Sequence, residues 1–284
     1  MEHDRHSLIL GSSGFVGTSL LRRLSERGGA VSVMNRTLDP TLTVAQALVD
    51  DLTRVPRRFD VVFLLAAHVP YGRMDVYSAA LLEANVDLVT RVVKAFPDAR
   101  LVYASSVSVY GEPQYLPVDE EHSFNSPHAY GLSKLAGETI ARSHPNHVIL
   151  RFSSLYGPGM TRKTFLPTVI DDARTKGRIV LGGDGSRLQD YLFVEDAAEM
   201  LIEAGQTTAS GVFNAASGEA RSNRAVAEII AHELGNVDIR CRGPEKSASC
   251  AYSVEKWAAE FRTRPKTDLR SGVQRLLQTL EVVA

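Results

Sequence analysis

Across 284 residues the chain has a single tryptophan, two cysteines and almost no surplus of charge, with 32 basic against 33 acidic residues. Cys241 and Cys250 alone cannot build the disulfide framework of a small secreted protein. Without a basic surplus no global field exists to hold a nucleic acid, so any phosphate must be bound locally. Long hydrophobic runs are missing too. The stretch 61–67 is strand-sized, far short of the roughly 20 residues a membrane-spanning helix needs. The opening MEHDRHSLIL is too polar and acidic for a signal peptide, so a cytoplasmic protein without membrane contact is expected. Eight histidines show neither HExxH nor paired Cys/His spacing, and no metal site is expected.

What is present is alternation. Apolar runs at 7–10, 30–34, 61–66, 101–104 and 147–151 read as strands, and 14–27, 79–95 and 129–143 carry apolar residues at helical spacing. Strand–helix alternation predicts an α/β fold, a Rossmann-type doubly wound parallel sheet that binds ligands beyond the carboxyl ends of its strands. After Gly157 the pattern loosens, with turns at Gly157-Pro158-Gly159 and 182–185 and helices at 195–204 and 223–234. The expected division is a dinucleotide-binding domain over 1–156 and a smaller, mostly substrate-binding lobe over 157–284. Segments near 186–216 should return to the first domain, since 212–215 reads as a strand.

Directly after the first strand comes Gly11-Ser-Ser13-Gly14-Phe15-Val16-Gly17, running into a helix. Glycines at this spacing permit the tight turn and let a pyrophosphate approach the backbone at a helix N-terminus. The second strand ends in Asn35-Arg36, without the acidic residue that usually takes the adenosine ribose of NAD. The Arg36 guanidinium suits the 2′-phosphate of NADP, which is the favoured cofactor. NAD stays open, because Asn35 can hydrogen-bond the ribose hydroxyls.

Tyr130 and Lys134 lie one helical turn apart, behind a Ser126-Pro127 helix start. A free phenol titrates near pH 10, and a neighbouring ammonium favours the phenolate, which is one route to a proton donor that works near neutrality. Upstream, Tyr103-Ala-Ser105-Ser106-Val-Ser108-Val-Tyr110-Gly111 places small hydroxyls at the end of a buried strand.

These motifs, with Leu65-Ala66-Ala67, Asn85, Leu150-Arg151…Tyr156-Gly157-Pro158-Gly159 and Gly183-Asp-Gly185…Asp190-Tyr191, resemble in order the extended short-chain dehydrogenase/reductases, the NAD-dependent epimerase/dehydratase group. The resemblance runs from about residue 7 to 235. It implies an oxidoreductase acting on a nucleotide-linked sugar, and a homodimer joined through the helix bearing Tyr130 and its neighbour. Carried over residue by residue, Tyr130 is the acid/base, Lys134 holds the ribose hydroxyls and tunes Tyr130, and Ser106 bonds the reacting oxygen. Ser105 and Ser108 are second choices. The 11–17 loop, Leu65, Ala66, Ala67 and Asn85 would line the cofactor, Asp51-Leu52 would touch its adenine, and Phe152 would lie on the nicotinamide side. Ser108 and Ser154 would face the substrate. His68 and Tyr71 follow a strand end, which suits either a substrate contact or an ordinary loop.

The chain also departs from that pattern. Val107-Ser108 stands where dehydratases carry an Asp-Glu pair, which disfavours elimination of water. Ser154 and Gln189 replace the asparagine and arginine that often hold the substrate's diphosphate, and Arg187 is the expected substitute. The leading expectation is an NADPH-dependent 4-ketoreductase of a deoxysugar nucleotide. The alternatives are a 4-epimerase with tightly held NAD and, in a different class, a dinucleotide-sensing protein without turnover.

Overall fold

The structure, a computed structural model, describes residues 5–52 and 58–281. Part of the opening that argued against a signal peptide, residues 1–4, lies outside the described residues. Seven strands form the main sheet: β1 (His6–Leu10), β2 (Ala30–Asn35), β3 (Ala45–Leu48), β4 (Val61–Leu64), β5 (Arg100–Ser106), β6 (His147–Phe152) and a late returning strand, Gly211–Ala215. All neighbouring pairs are parallel, and the order is returning strand, β6, β5, β4, β1, β2, β3. From β1 the chain winds outward through β2 and β3, then restarts on the other side with β4. The crevice between β1 and β4 is therefore the switch point where such sheets bind ligands.

Both faces of this sheet are covered, so its strands read as continuous apolar runs and not as alternating ones. Along β1 and β4, Ile9, Val61 and Phe63 point to one buried layer, and Leu8, Leu10, Val62 and Leu64 to the other. The first layer is closed by α1 (Phe15–Glu26). The second is closed by a helical stretch built from α2 (Ala79–Leu82), a π-helical turn (Glu83–Asp87) and α3 (Leu88–Ala95), together with α4 (Ala129–Ala141).

Beyond β6, the chain forms β7 (Ser154–Tyr156), α5 (Phe165–Lys176), β8 (Arg178–Leu181), β9 (Leu188–Phe193) and α6 (Val194–Gln206). The returning strand is β10, followed by β11 (Ala220–Ser222), α7 (Asn223–Leu234), β12 (Asp238–Cys241), α8 (Glu255–Glu260) and α9 (Leu269–Glu281). Strands β11, β9 and β7 make a three-stranded sheet, and β12 pairs with β8. A separate apolar cluster unites Leu166 and Ile170 of α5, Val226 and Ile230 of α7, and Leu276 of α9.

Helix α6 instead packs on α1, where Arg23 bridges Glu195 at 2.8 Å and Glu199 at 3.0 Å. Trp257 of α8 and the following Phe261 stack at 3.9 Å inside the main-sheet cluster. The main sheet's first layer thus draws on residues as late as 261. Among the described residues no helix is long and apolar enough to cross a membrane.

Candidate functional site

Two cavities open at the carboxyl ends of the central strands and share the loop after β1. The larger, about 410 Å³, runs from Gly11, Gly14 and Gly17 past Ser106, Tyr130 and Lys134 to Ser154, Phe165 and Tyr191. The smaller, about 290 Å³, lies between Ser13, Asn35, Arg36, Asp50, Ala66 and Arg91. Gly11 sits at φ +92°, and a Cβ there would come within 2.8 Å of the Ala66 backbone. A Cβ at Gly17 would collide with the Gly11 carbonyl. Both positions need glycine for the loop to close on α1. The N-terminus of α1 has no side-chain cap and no acidic residue in its first turn, so its free N–H groups are available to an anion.

Asn35 ends β2 with its side chain turned inward. Its amide donates to Ser12 Oγ at 2.8 Å, and its carbonyl oxygen accepts from Ser13 N at 3.4 Å. It is therefore committed to the glycine loop. Arg36 is exposed on the rim of the smaller cavity with no partner among the described residues. Across the cavity Arg91 donates to the Val49 carbonyl at 2.9 Å. The wall is built by Val49 and Asp50, whereas Asp51 and Leu52 do not line it. The short 3-10 turn at Val49–Asp51 carries the chain away from the cavity, and Leu52 is buried in the apolar core.

Asn85 is also not a wall residue. It is 1% exposed and bonds His68 N at 2.8 Å, His68 O at 3.1 Å and Ser133 Oγ at 2.9 Å. The π-helical turn that contains it widens the helix locally, and Asn85 ties that helix to α4 and to the strand-end loop. His68 consequently lines the smaller cavity and not the substrate side, while Tyr71 does line the larger one.

Ser106 closes β5 and caps the next 3-10 turn, its Oγ accepting from Ser108 N at 3.2 Å. Helix α4 begins two residues later than the Ser-Pro signal implies: His128 is the N-cap, accepting from Gly131 N at 3.1 Å. Tyr130 faces Ser106. Burial pushes the Tyr130 phenol well above its ordinary pKa, the Ser106 hydrogen bond pulls it partly back, and Tyr71 adds a small upward push. Lys134 is 2% exposed, and its ammonium lies 4.3 Å from the centre of the Tyr103 ring. Burial lowers its pKa to about 7, opposed by the carboxylate of Glu138. The spacing of Tyr130 and Lys134 leads one to expect a phenol drawn down by an ammonium. In the cofactor-free protein burial is the largest influence on each, raising the phenol and lowering the amine, so it disfavours the charged form of both groups.

Behind them, Ser105 Oγ donates to Glu138 Oε1 at 2.6 Å. Arg151 holds the same carboxylate through Nε at 2.9 Å and Nη2 at 2.7 Å. This engagement commits the Ser105 hydroxyl to the Glu138 carboxylate, although the residue lines the cavity together with Val107 and Ser108. Phe152 and Ser154 line it as well. Arg187 does not: its Nη1 donates to Gln189 Oε1 at 2.6 Å and its Nε to the Ala248 carbonyl at 3.0 Å. The sequence reading missed Met74, Met160, Thr164, Phe165 and Tyr191 on the wall. Position after a strand end or at a helix start could have marked the first four, while Tyr191 lies inside β9. Chemically, the larger cavity places a neutral phenol, a serine hydroxyl and a buried amine beside an anion-accepting helix start.

Comparison with known proteins bears on the family and the fold. Residues 7–216 match the NAD dependent epimerase/dehydratase family model. A putative UDP-glucose 4-epimerase of Methanocaldococcus jannaschii is 25% identical over 96% of this chain and 98% of that protein. A dTDP-4-dehydro-6-deoxy-D-allose reductase of Streptomyces bikiniensis is 26% identical over 81% of this chain and 82% of its own. Among solved structures, MoeE5 in complex with UDP-glucose and NAD superposes with a TM-score of 0.85 at 25% identity, covering 98% of this chain and 99% of MoeE5.

Proposed function

The chain belongs to the NAD dependent epimerase/dehydratase family of sugar-nucleotide enzymes, and from that premise we propose that it is an NADP-dependent 4-ketoreductase of a nucleotide-activated deoxysugar. One observation carries the reading: Ser106, Tyr130 and Lys134 converge in the same cavity as the glycine loop and the open start of α1.

The residues present fit a dinucleotide. Gly11, Ser13, Gly14 and Gly17 would cradle its pyrophosphate, with Leu65, Ala66 and Ala67 beneath it and Phe152 towards the nicotinamide. The bound cofactor supplies the hydride. Tyr130, neutral in the cavity, is poised to give its proton to the carbonyl oxygen as that oxygen gains charge. Ser106 would hydrogen-bond the same oxygen, adding a fixed donor where charge develops. Lys134 would hold the ribose hydroxyls and, once paired with them, stand beside the phenol. NADP is preferred over NAD because Asn35 spends its amide on Ser12 and Ser13 while Arg36 stands free at the ribose edge. Leu82 and Leu132, 46% and 40% exposed on neighbouring helices, support a homodimer through the face of α4.

A second reading, 4-epimerisation with retained NAD, is favoured by the near full-length similarity to the Methanocaldococcus protein and by the NAD named in the MoeE5 complex. The two are separated by supplying NADPH with a nucleotide-linked 4-keto-6-deoxysugar, then a 4-hydroxy sugar nucleotide without cofactor. The ketoreductase consumes NADPH stoichiometrically with the ketone and leaves the second substrate unchanged. Interconversion of 4-hydroxy epimers without added cofactor would establish the epimerase instead.

A further inference from the structure

A nucleotide sugar carries a diphosphate, and that charge has to be met by cations or by several N–H donors. Among the described residues the wall of the larger cavity holds no arginine or carboxylate, and its one amine, Lys134, is buried at the reaction centre. The wall positions that resemble the diphosphate-binding pair of related enzymes satisfy each other here. Gln189 Nε2 donates to Ser154 Oγ at 2.6 Å, and Arg187 is spent on Gln189 and the Ala248 carbonyl.

The loop between β7 and α5 differs. Met160, Thr164 and Phe165 face the cavity, and between them Arg162 and Lys163 stand exposed, with no hydrogen-bond or ion-pair partner among the described residues. Thr164 adds an orphan: its Oγ1 is buried without any hydrogen-bond partner although the residue lines the cavity. Two unspent cations and one unspent hydroxyl thus sit on the loop whose Met160, Thr164 and Phe165 line the cavity.

We propose that Arg162 and Lys163 grip the substrate's diphosphate, with the Thr164 hydroxyl as an inner hydrogen-bond donor. The substrate's charged handle is met by this loop, and the wall of Ser154 and Gln189 is left to contact its uncharged part. This rests on the nucleotide-sugar reading of the site. Pro158 and Gly159 of the same loop border a further cavity with Ser13, Gly14 and Phe15, so the competing assignment is that these cations serve the cofactor's pyrophosphate.

The test is calorimetric titration of UDP, dTDP, ADP, GDP and CDP into protein already saturated with NADP⁺, with uridine and thymidine as uncharged controls. At least one diphosphate should bind at one site per chain. Arg162→Ala and Lys163→Ala should each weaken it about 5- to 10-fold and the double variant about 30- to 100-fold, as for charge-assisted contacts to phosphate. Thr164→Val should cost about threefold. Weakening should grow smaller at high salt, since the contacts are exposed. NADP⁺ affinity of the free protein should not change.

Absence of binding by all five diphosphates would overturn the proposal, as would a double variant that binds like wild type. A parallel loss of NADP⁺ affinity would move the cations to the cofactor. The positions are exposed, so circular dichroism of the variants should match wild type. If no diphosphate bound while hydride transfer still depended on Tyr130, the grip would fall and the hydride-transfer reading would stand.

Discussion

Replacing Lys134 by methionine keeps most of the apolar stem of the side chain and removes its ionisable amine. In the folded protein burial holds the amine near a pKa of about 7, against an ordinary 10.5. Between those values the unfolded chain binds the proton and the folded chain does not, so stability rises with pH across this window. The penalty for burying the group is present in full below about pH 7 and is relieved towards pH 10.5. A gap of about 3.5 pH units corresponds to about 5 kcal/mol at 1.36 kcal/mol per unit, of which about 2–3 kcal/mol falls between pH 6.5 and 9. Urea unfolding of cofactor-free wild type and Lys134→Met at both pH values, followed by circular dichroism, isolates this group because other titrating residues are common to both. The variant should gain about 2–3 kcal/mol more, relative to wild type, at pH 6.5 than at pH 9. A difference independent of pH, or a larger gain at pH 9, would refute the reasoning and mean that Lys134 keeps its charge in the apo site.

Two further outcomes are expected. Arg36→Ala should lower NADPH affinity about 10- to 100-fold and leave NADH nearly unchanged, because the lost contact is a charge-assisted bond to the extra phosphate; fluorescence titration of both cofactors decides it, and equal preference in both proteins would rule out the role. Light scattering at micromolar concentration should give a dimer, and Leu132→Glu should shift it towards monomer by placing a charge in an apolar interface; a wild-type monomer would contradict the assignment.

The region from β1 through the glycine loop to α1 was legible because its signals are local: an apolar run, three glycines at fixed spacing, then an amphipathic helix. The central strands were legible because burial on both faces leaves them almost entirely apolar. Edge strand β3, Ala45–Leu48, was not, since it is short and only half-buried and lacks β-branched residues. Helix α5 was hidden by Pro167, which the structure tolerates because it sits in the first turn after Thr164. Helix α9 was obscured by Gly272, present because a Cβ there would strike the Tyr156 ring.

In the site, spacing pointed to Tyr130 and Lys134, and local pattern to Ser106. Spacing could not show that Asp51 and Leu52 turn away behind Val49 and Asp50, nor that Arg187 is consumed by Gln189. The turn is a matter of backbone conformation, and Arg187 is held both by Gln189 two residues on and by the Ala248 carbonyl, which the fold delivers from 61 residues away. The protonation of Tyr130 was misjudged as well. Residue spacing reports the nearby amine, while burial is a property of the whole packed site.

The central claim is that Tyr130 donates the proton that accompanies hydride transfer. Single-turnover absorbance at 340 nm, with enzyme saturated in NADPH and a nucleotide-linked 4-keto-6-deoxysugar added, measures that step apart from binding. Tyr130→Phe keeps the ring and should keep cofactor affinity while slowing the hydride step about 10²–10⁴-fold, the usual effect of removing a positioned general acid. Ser106→Ala should slow it about 10²–10³-fold by removing one hydrogen bond to the developing oxyanion. A Tyr130→Phe protein that binds NADPH normally and transfers hydride at close to the wild-type rate would contradict the account at its centre.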